Sequence, residues 1–172
     1  MGLSLESMAI EIPNVQGHPN RAGFRGVLTV VDAASDKSPA GARGHRVLLT
    51  RRAAEAAIPS LLGMALDYSP TLDRHDARRK IGVITRAEIV GRAIEVGGFL
   101  YARDFPEMVA EIGRPGSSAA AGGRLGMSYE IADAVVEDLK ASVWVLNRVT
   151  FTGAAVLKRD KAAYGSTWIE LQ

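Results

Sequence analysis

The stretch GGRLGMSYEI, residues 122–131, places one aliphatic hydroxyl, Ser128, on a run that otherwise reads as an apolar strand entered from a glycine-rich loop. A serine hydroxyl becomes a useful nucleophile only when a neighbouring base takes its proton. Three histidines are available for that work: His18 in VQGHPN, His45 in ARGHRV and His75 in TLDRHDARRK. His18 sits in a Gly, Pro and Asn context that reads as an exposed turn. His45 follows a loop and starts a strand, and His75 stands between a helix and a strand among aspartates and basic residues. Each has an ordinary surface reading beside the catalytic one. With no cysteine in the chain, thiolate catalysis and disulfides are excluded. The run DRHD gathers three potential metal-ligating groups, but neighbours on an extended chain point to opposite faces and no spaced His or Cys pair completes a set, so no metal is expected. Neither GRPGSSAAAGG nor GHPNRAGFRG has the Lys-Ser ending of a phosphate-cradling loop.

These residues need elements to hold them. FRGVLTVVD (24–32) and RVLLT (46–50) are β-branched runs joined by a loop dense in Gly, Pro, Ser and Asp, which predicts strand, loop, strand. Thr50 then precedes RRAAEAAIPSLLGMAL, a helix with Thr50 as N-cap and Pro59 or Gly63 as its interruption or end. Residues 79–103 alternate as a β hairpin with Gly97-Gly98 as the turn. Asp104 is positioned to cap a short helix over FPEMVAEIG, and RPGSSAAAGG follows as a small-residue loop. RLGMSYEI, AVVEDLK and SVWVLNRVTFTGAAVL read as further strands, and the polar tail KRDKAAYGSTWIELQ as a segment ordered only by docking. The expected fold is α+β, a mostly antiparallel, barrel-like sheet with inserted helices.

A chain of 172 residues, 47% hydrophobic and 23% charged, has material for one domain with a real core, so residues 1–172 are read as a single domain. Lys plus Arg number 21 against 19 acidic residues; that small excess is no clustered field, and nucleic acid is not the expected partner. The N-terminus lacks a secretory pattern and no apolar run is long enough to span a bilayer, which leads to the expectation of a soluble, cytoplasmic protein.

Taken in order, the N-terminal β region, the helix, the histidine in LDRH, the hairpin, the strand with LGMSYEI and the run NRVTFTGAAVL resemble the phage prohead protease family. These are capsid-maturation serine proteases whose fold is similar to the herpesvirus assemblins. The resemblance runs from about Gly26 to Thr167, and the 53 residues from His75 to Ser128 match the family's separation of histidine and serine. It implies Ser128 as nucleophile and His75 as general base and acid, with no cofactor or metal. Family members carry an acidic residue on the penultimate strand, where this chain reads Asn147-Arg148-Val149-Thr150. Arg148 cannot accept a hydrogen bond. Asn147 or Thr150 is therefore the expected third member, with Asp73, Asp76, Glu137 and Asp138 as carboxylate alternatives. Backbone amides near Thr152 and Gly153 are the expected oxyanion donors.

The resemblance further implies an endopeptidase that cuts scaffold and major capsid precursor proteins, and itself, inside an assembling prohead in the host cytoplasm, with self-association into homo-oligomers. It also implies that the tail after about residue 158 leads toward a scaffold region not present here. Two other classes stay open: a catalytically inactive capsid-assembly scaffold domain of the same fold, and a nucleic-acid-binding module built on Arg51, Arg52, Arg74, Arg78, Arg79 and Lys80. The small-residue loop 116–123 is a candidate self-cleavage site because such loops are accessible to proteases. Incubated protein is expected to yield a fragment ending in that loop by intact-mass analysis; a single unchanged mass counts against it.

Overall fold

The computed structural model describes residues 7–117 and 123–172. Its elements are β1 (Ser7–Ala9), β2 (Ala22–Val30), β3 (Arg46–Leu49), α1 (Arg51–Ala57), β4 (Ala65–Tyr68), β5 (Lys80–Val90), β6 (Ala93–Leu100), α2 (Pro106–Ile112), β7 (Leu125–Val136), β8 (Val143–Lys158) and β9 (Trp168–Leu171). Among the described residues the architecture is mostly strand with two short α-helices, in a sheet curled into a half-barrel.

Among the described residues nine strands share one sheet, in the order β3-β8-β4-β5-β6-β2-β9, with β7 also on β8 and β1 also on β5. The longest strand, β8, organises it. One edge of β8 carries β7 antiparallel along most of its length. The other edge is shared by two parallel strands: β3 lies against Val143–Leu146 and β4 against Ala154–Val156. Between those two stretches the edge of β8 has no strand partner among the described residues, and α1 with the 3-10 turn Ile58–Leu61 fills the gap. There the Ser60 Oγ accepts a hydrogen bond of 2.9 Å from the Phe151 N–H, a ladder donor that would otherwise be buried without a partner. Ala53, Ala54 and Ala57 form the buried face of α1, and the Thr50 side chain caps it by accepting from the Ala53 N–H.

The sheet curls because β7 comes against the far strands. Gly26 of β2 has no Cβ, and one built there would lie 2.8 Å from the Met127 Sδ. The Met127 N–H donates to the Thr167 Oγ1 at 3.1 Å, just ahead of β9. Phe24, Leu28, Ile84, Ile94, Leu100 and Phe151 fill the interior.

The structure corrects several expected boundaries. Ala65 and Leu66, the last two residues of the run expected as helix, belong to strand β4. The β5–β6 hairpin turns at Gly91-Arg92, and Gly97-Gly98 lies inside β6. Gly98 is needed for close approach: a Cβ there would sit 1.9 Å from the carbonyl oxygen of Val83 on β5. Asp104 does not cap α2, whose N-cap is Phe105 with no side-chain bond. Its carboxylate accepts instead from the Asn20 amide at 2.9 Å. LGMSYEI and AVV are one strand, β7, with its register broken near Asp133 at φ 51°. The tail docks by adding β9 to β2 antiparallel. No helix among the described residues is long and apolar enough to cross a membrane. The loop 116–123 lies largely outside the described residues.

Gly98→Ala is expected to destabilise the protein by about 2 kcal/mol or more, because backbone must move to admit the methyl group. Gly97→Ala, whose Cβ would meet its neighbours at 3.4 Å and beyond, should cost clearly less. Urea unfolding of the two variants side by side measures the difference, and equal costs would refute the close-approach explanation.

Candidate functional site

Alternation along β7 sends Met127 and Tyr129 to the core, where Tyr129 packs edge-on against Phe151. Ser128 and Glu130 therefore share the other face, about 7 Å apart along the strand. The β7–β8 register sets what lies beside them. Ser128 is level with Ala155 and Glu130 with Gly153. Ala155 is in turn level with Asp67 on β4, and Asp67 with Lys80 on β5, so Ser128, Ala155, Asp67 and Lys80 form one row across four strands. Gly153 leaves a vacancy in the neighbouring row that the Glu130 carboxylate occupies: a Cβ on Gly153 would stand 2.8 Å from the Glu130 Oε2.

His75 reaches this face from the loop between β4 and β5. The loop is tied down by its own polar groups. Asp73 Oδ1 accepts from Ser69 Oγ at 3.1 Å and from Thr71 Oγ1, which holds its carboxyl below the usual carboxylate range. The Asp76 N–H donates to Asp67 Oδ1 at 3.1 Å, and the Lys158 N–H donates to Leu72 O at 2.7 Å. Asp76 is depressed by its bonds to Arg78, first through the side chain and then through the Arg78 N–H. The two aspartates flanking His75 thus organise the loop and the nearby arginines.

The imidazole bonds to a residue that the chain's motifs did not single out. His75 Nδ1 lies 2.8 Å from the Glu130 Oε1, with the two side chains 27% and 26% exposed. A neutral imidazole making this bond carries its proton on Nδ1 and presents Nε2 as the acceptor. Behind the pair sits Asp67, fully buried. Burial first, then the neighbouring Glu130 carboxyl, push the Asp67 carboxyl up to about 7, while the Asp76 N–H, and more weakly Lys80 at 3.8 Å, pull the other way. The donor atoms of Asp67, His75 and Glu130 all lie within 4.8 Å of one another.

His75, Ser128 and Glu130 line one cleft of about 670 Å³, with Arg74, Lys161 and Trp144 also in its wall. Between Ser128 Oγ and His75 there is no hydrogen bond. Thr150 and Asn147 do not reach the histidine. Thr150 Oγ1 donates to Asp133 Oδ2 at 3.3 Å, and Asn147 is exposed further along β8. Thr150 is three residues from Gly153, about 10 Å along the strand from the level of Glu130. Gly153 is level with the acid and not with Ser128, and its observed contribution is clearance for the Glu130 carboxylate. Glu137 and Asp138 lie at and beyond the far end of β7. His18 Nδ1 accepts from the Asn20 N–H at 3.0 Å, and His45 Nδ1 donates to Ala141 O at 2.9 Å while stacking on Trp144; both are structural. The sequence signal that could have found Glu130 is its i+2 spacing from Ser128, which puts both on one face of a strand.

No protein-family model matches the chain, and no curated protein matches it in sequence. Among solved structures it is similar to a room-temperature crystal structure of Kaposi's sarcoma-associated herpesvirus protease in complex with an allosteric inhibitor. The identity is 12% and the TM-score 0.42, over 88% of this chain and 75% of that one. The likeness is distant.

Asp67 generates a pH signature. Its folded pKa, about 7, lies above the ordinary value of 3.8, so the folded state holds this proton more tightly than the unfolded chain. The associated stability is full below about 4 and is lost as pH rises through 7. Asp67→Asn, which mimics the protonated acid, should flatten that part of the profile and gain stability over wild type at pH 8 more than at pH 5. Urea unfolding at the two values checks this, and an identical pH slope in both proteins would count against a raised Asp67.

Proposed function

We propose that this chain is a serine endopeptidase in which Ser128 is the nucleophile, His75 the general base and acid, and Glu130 the carboxylate that orients His75. The observation that carries the reading is the 2.8 Å bond from His75 Nδ1 to Glu130, in a cleft that also contains Ser128. With Nδ1–H held by Glu130, the lone pair on Nε2 takes the Ser128 proton as Oγ attacks a peptide carbonyl, and the same nitrogen then protonates the leaving amine. Nucleophile and orienting acid on one strand face, about 7 Å apart, leave a gap that an imidazole hydrogen-bonded at both nitrogens bridges. The missing Ser128–His75 bond is of the kind that forms or tightens when substrate enters.

For the substrate, the resemblance of the His75 and Ser128 segments to the prohead proteases supports scaffold and major capsid precursor proteins, and the chain itself. The setting would be an assembling phage head in the host cytoplasm, with self-association of the enzyme. The second reading is an inactive assembly domain of the same fold, and the absence of a hydrogen bond on Ser128 Oγ from His75 is the observation that favours it.

A fluorophosphonate probe separates the two. Wild type is expected to label at Ser128, and Ser128→Ala to be silent. His75→Ala should lose labelling at least about a thousandfold, and Glu130→Gln about a hundredfold or more, since the amide no longer holds the imidazolium. A folded wild type that does not label sinks the peptidase reading and leaves the assembly domain.

A further inference from the structure

The structure assigns a second property to the same cluster: we infer that Asp67, His75 and Glu130 form a binding site for a divalent transition cation of the zinc class, and that its occupancy switches the peptidase off. The site itself is independent of the activity; the switch rests on the serine peptidase reading above.

Three elements deliver the three ligands. Asp67 comes from β4, His75 from the β4–β5 loop and Glu130 from β7, with all donor atoms within 4.8 Å of one another. Ligand atoms around a tetrahedral zinc stand about 3.4 Å apart given bonds near 2.0–2.1 Å, so small side-chain adjustments close the shell. Asp67 Oδ2 is the feature that points to a ligand: it is fully buried on a residue of the cluster and receives no hydrogen bond from the described residues. Its nearest cation is Lys80 Nζ at 3.8 Å. Gly153 keeps the centre of the cluster free of a side chain. One imidazole nitrogen with two carboxylates suits zinc or a neighbouring first-row ion; calcium asks for six or more oxygens, and magnesium for a rigid oxygen octahedron.

Tautomer chemistry links the site to catalysis. Proton abstraction needs Nδ1–H toward Glu130 and a lone pair on Nε2. A cation bound at Nδ1 displaces the proton there and uses that nitrogen's lone pair, so the neutral ring carries its proton on Nε2, which then cannot accept from Ser128. It also draws Glu130 away from its orienting bond. The ion and the reaction compete for one imidazole.

The test is calorimetric titration of ZnCl₂ into the chelator-treated full chain, with Co²⁺ absorption as a spectroscopic probe of the ligand set. One Zn²⁺ per chain is expected, with Asp67→Asn and Glu130→Gln each weakening it about 10-fold or more and Ser128→Ala binding as wild type does. Thermal unfolding of each variant checks that it is folded; either folded variant suffices. Absence of binding, or binding that neither folded variant weakens, overturns the site. Zn²⁺ should also block fluorophosphonate labelling of Ser128, reversibly with EDTA. Labelling or peptide hydrolysis that is unchanged or enhanced by saturating Zn²⁺ overturns the switch. Wild type that never labels but still binds one Zn²⁺ through Asp67 and Glu130 would refute the peptidase reading and its switch, and leave the site standing.

Discussion

The pairing of β7 with β8 is the constraint on which the rest depends. Because side chains alternate along a strand, moving β7 by one residue would turn Ser128 and Glu130 inward and bring Met127 and Tyr129 to the surface. The large apolar side chains of Met127 and Phe151 hold that register from the core side. Gly153 and Ala155 hold it from the other, since they are the two positions on β8 small enough to lie beneath Glu130 and Ser128. Packing and chemistry therefore select the same alignment, and the cleft is a by-product of a core that fills well.

Much of this was legible in the residues, and the gaps have physical causes. Thr50 before an alanine-rich run is a local signal, and the helix begins there because the cap's partner is only three residues away. Gly97-Gly98 misled because glycine has two uses: positive φ in a turn and absence of a Cβ at a close approach. Composition cannot separate them, and here Val83 on the neighbouring strand decides. Glu130 escaped notice because an acid alternating with apolar residues on a strand ordinarily faces solvent. Asp67 follows directly on the run read as a helix and was assigned to no strand, so nothing in the sequence set it apart from a surface charge. Neither acid means anything until β4, β8 and β7 are placed side by side, and that order is a long-range property.

The site concentrates polar groups where a sheet normally carries few. A fully buried carboxyl beside a second one is costly unless a proton or a cation lies between them. The neighbouring backbone reduces that cost, since the Asp76 N–H is directed at Asp67 Oδ1. The same bond fixes the position of the loop one residue past His75. Stabilising the buried acid and aiming the imidazole are thus one structural act, and a change at either end is felt at the other.

The threonine ahead of the final strand extends this coupling to the chain's last segment. Thr167 Oγ1 receives the amide proton of Met127 and passes its own to the carbonyl of Tyr164, so a single hydroxyl ties the residue preceding Ser128 to the closing turn of the polypeptide. Ser128 is thereby mechanically in register with the turn from Tyr164 to Thr167, and whatever pulls on that turn is felt in the backbone beside Ser128.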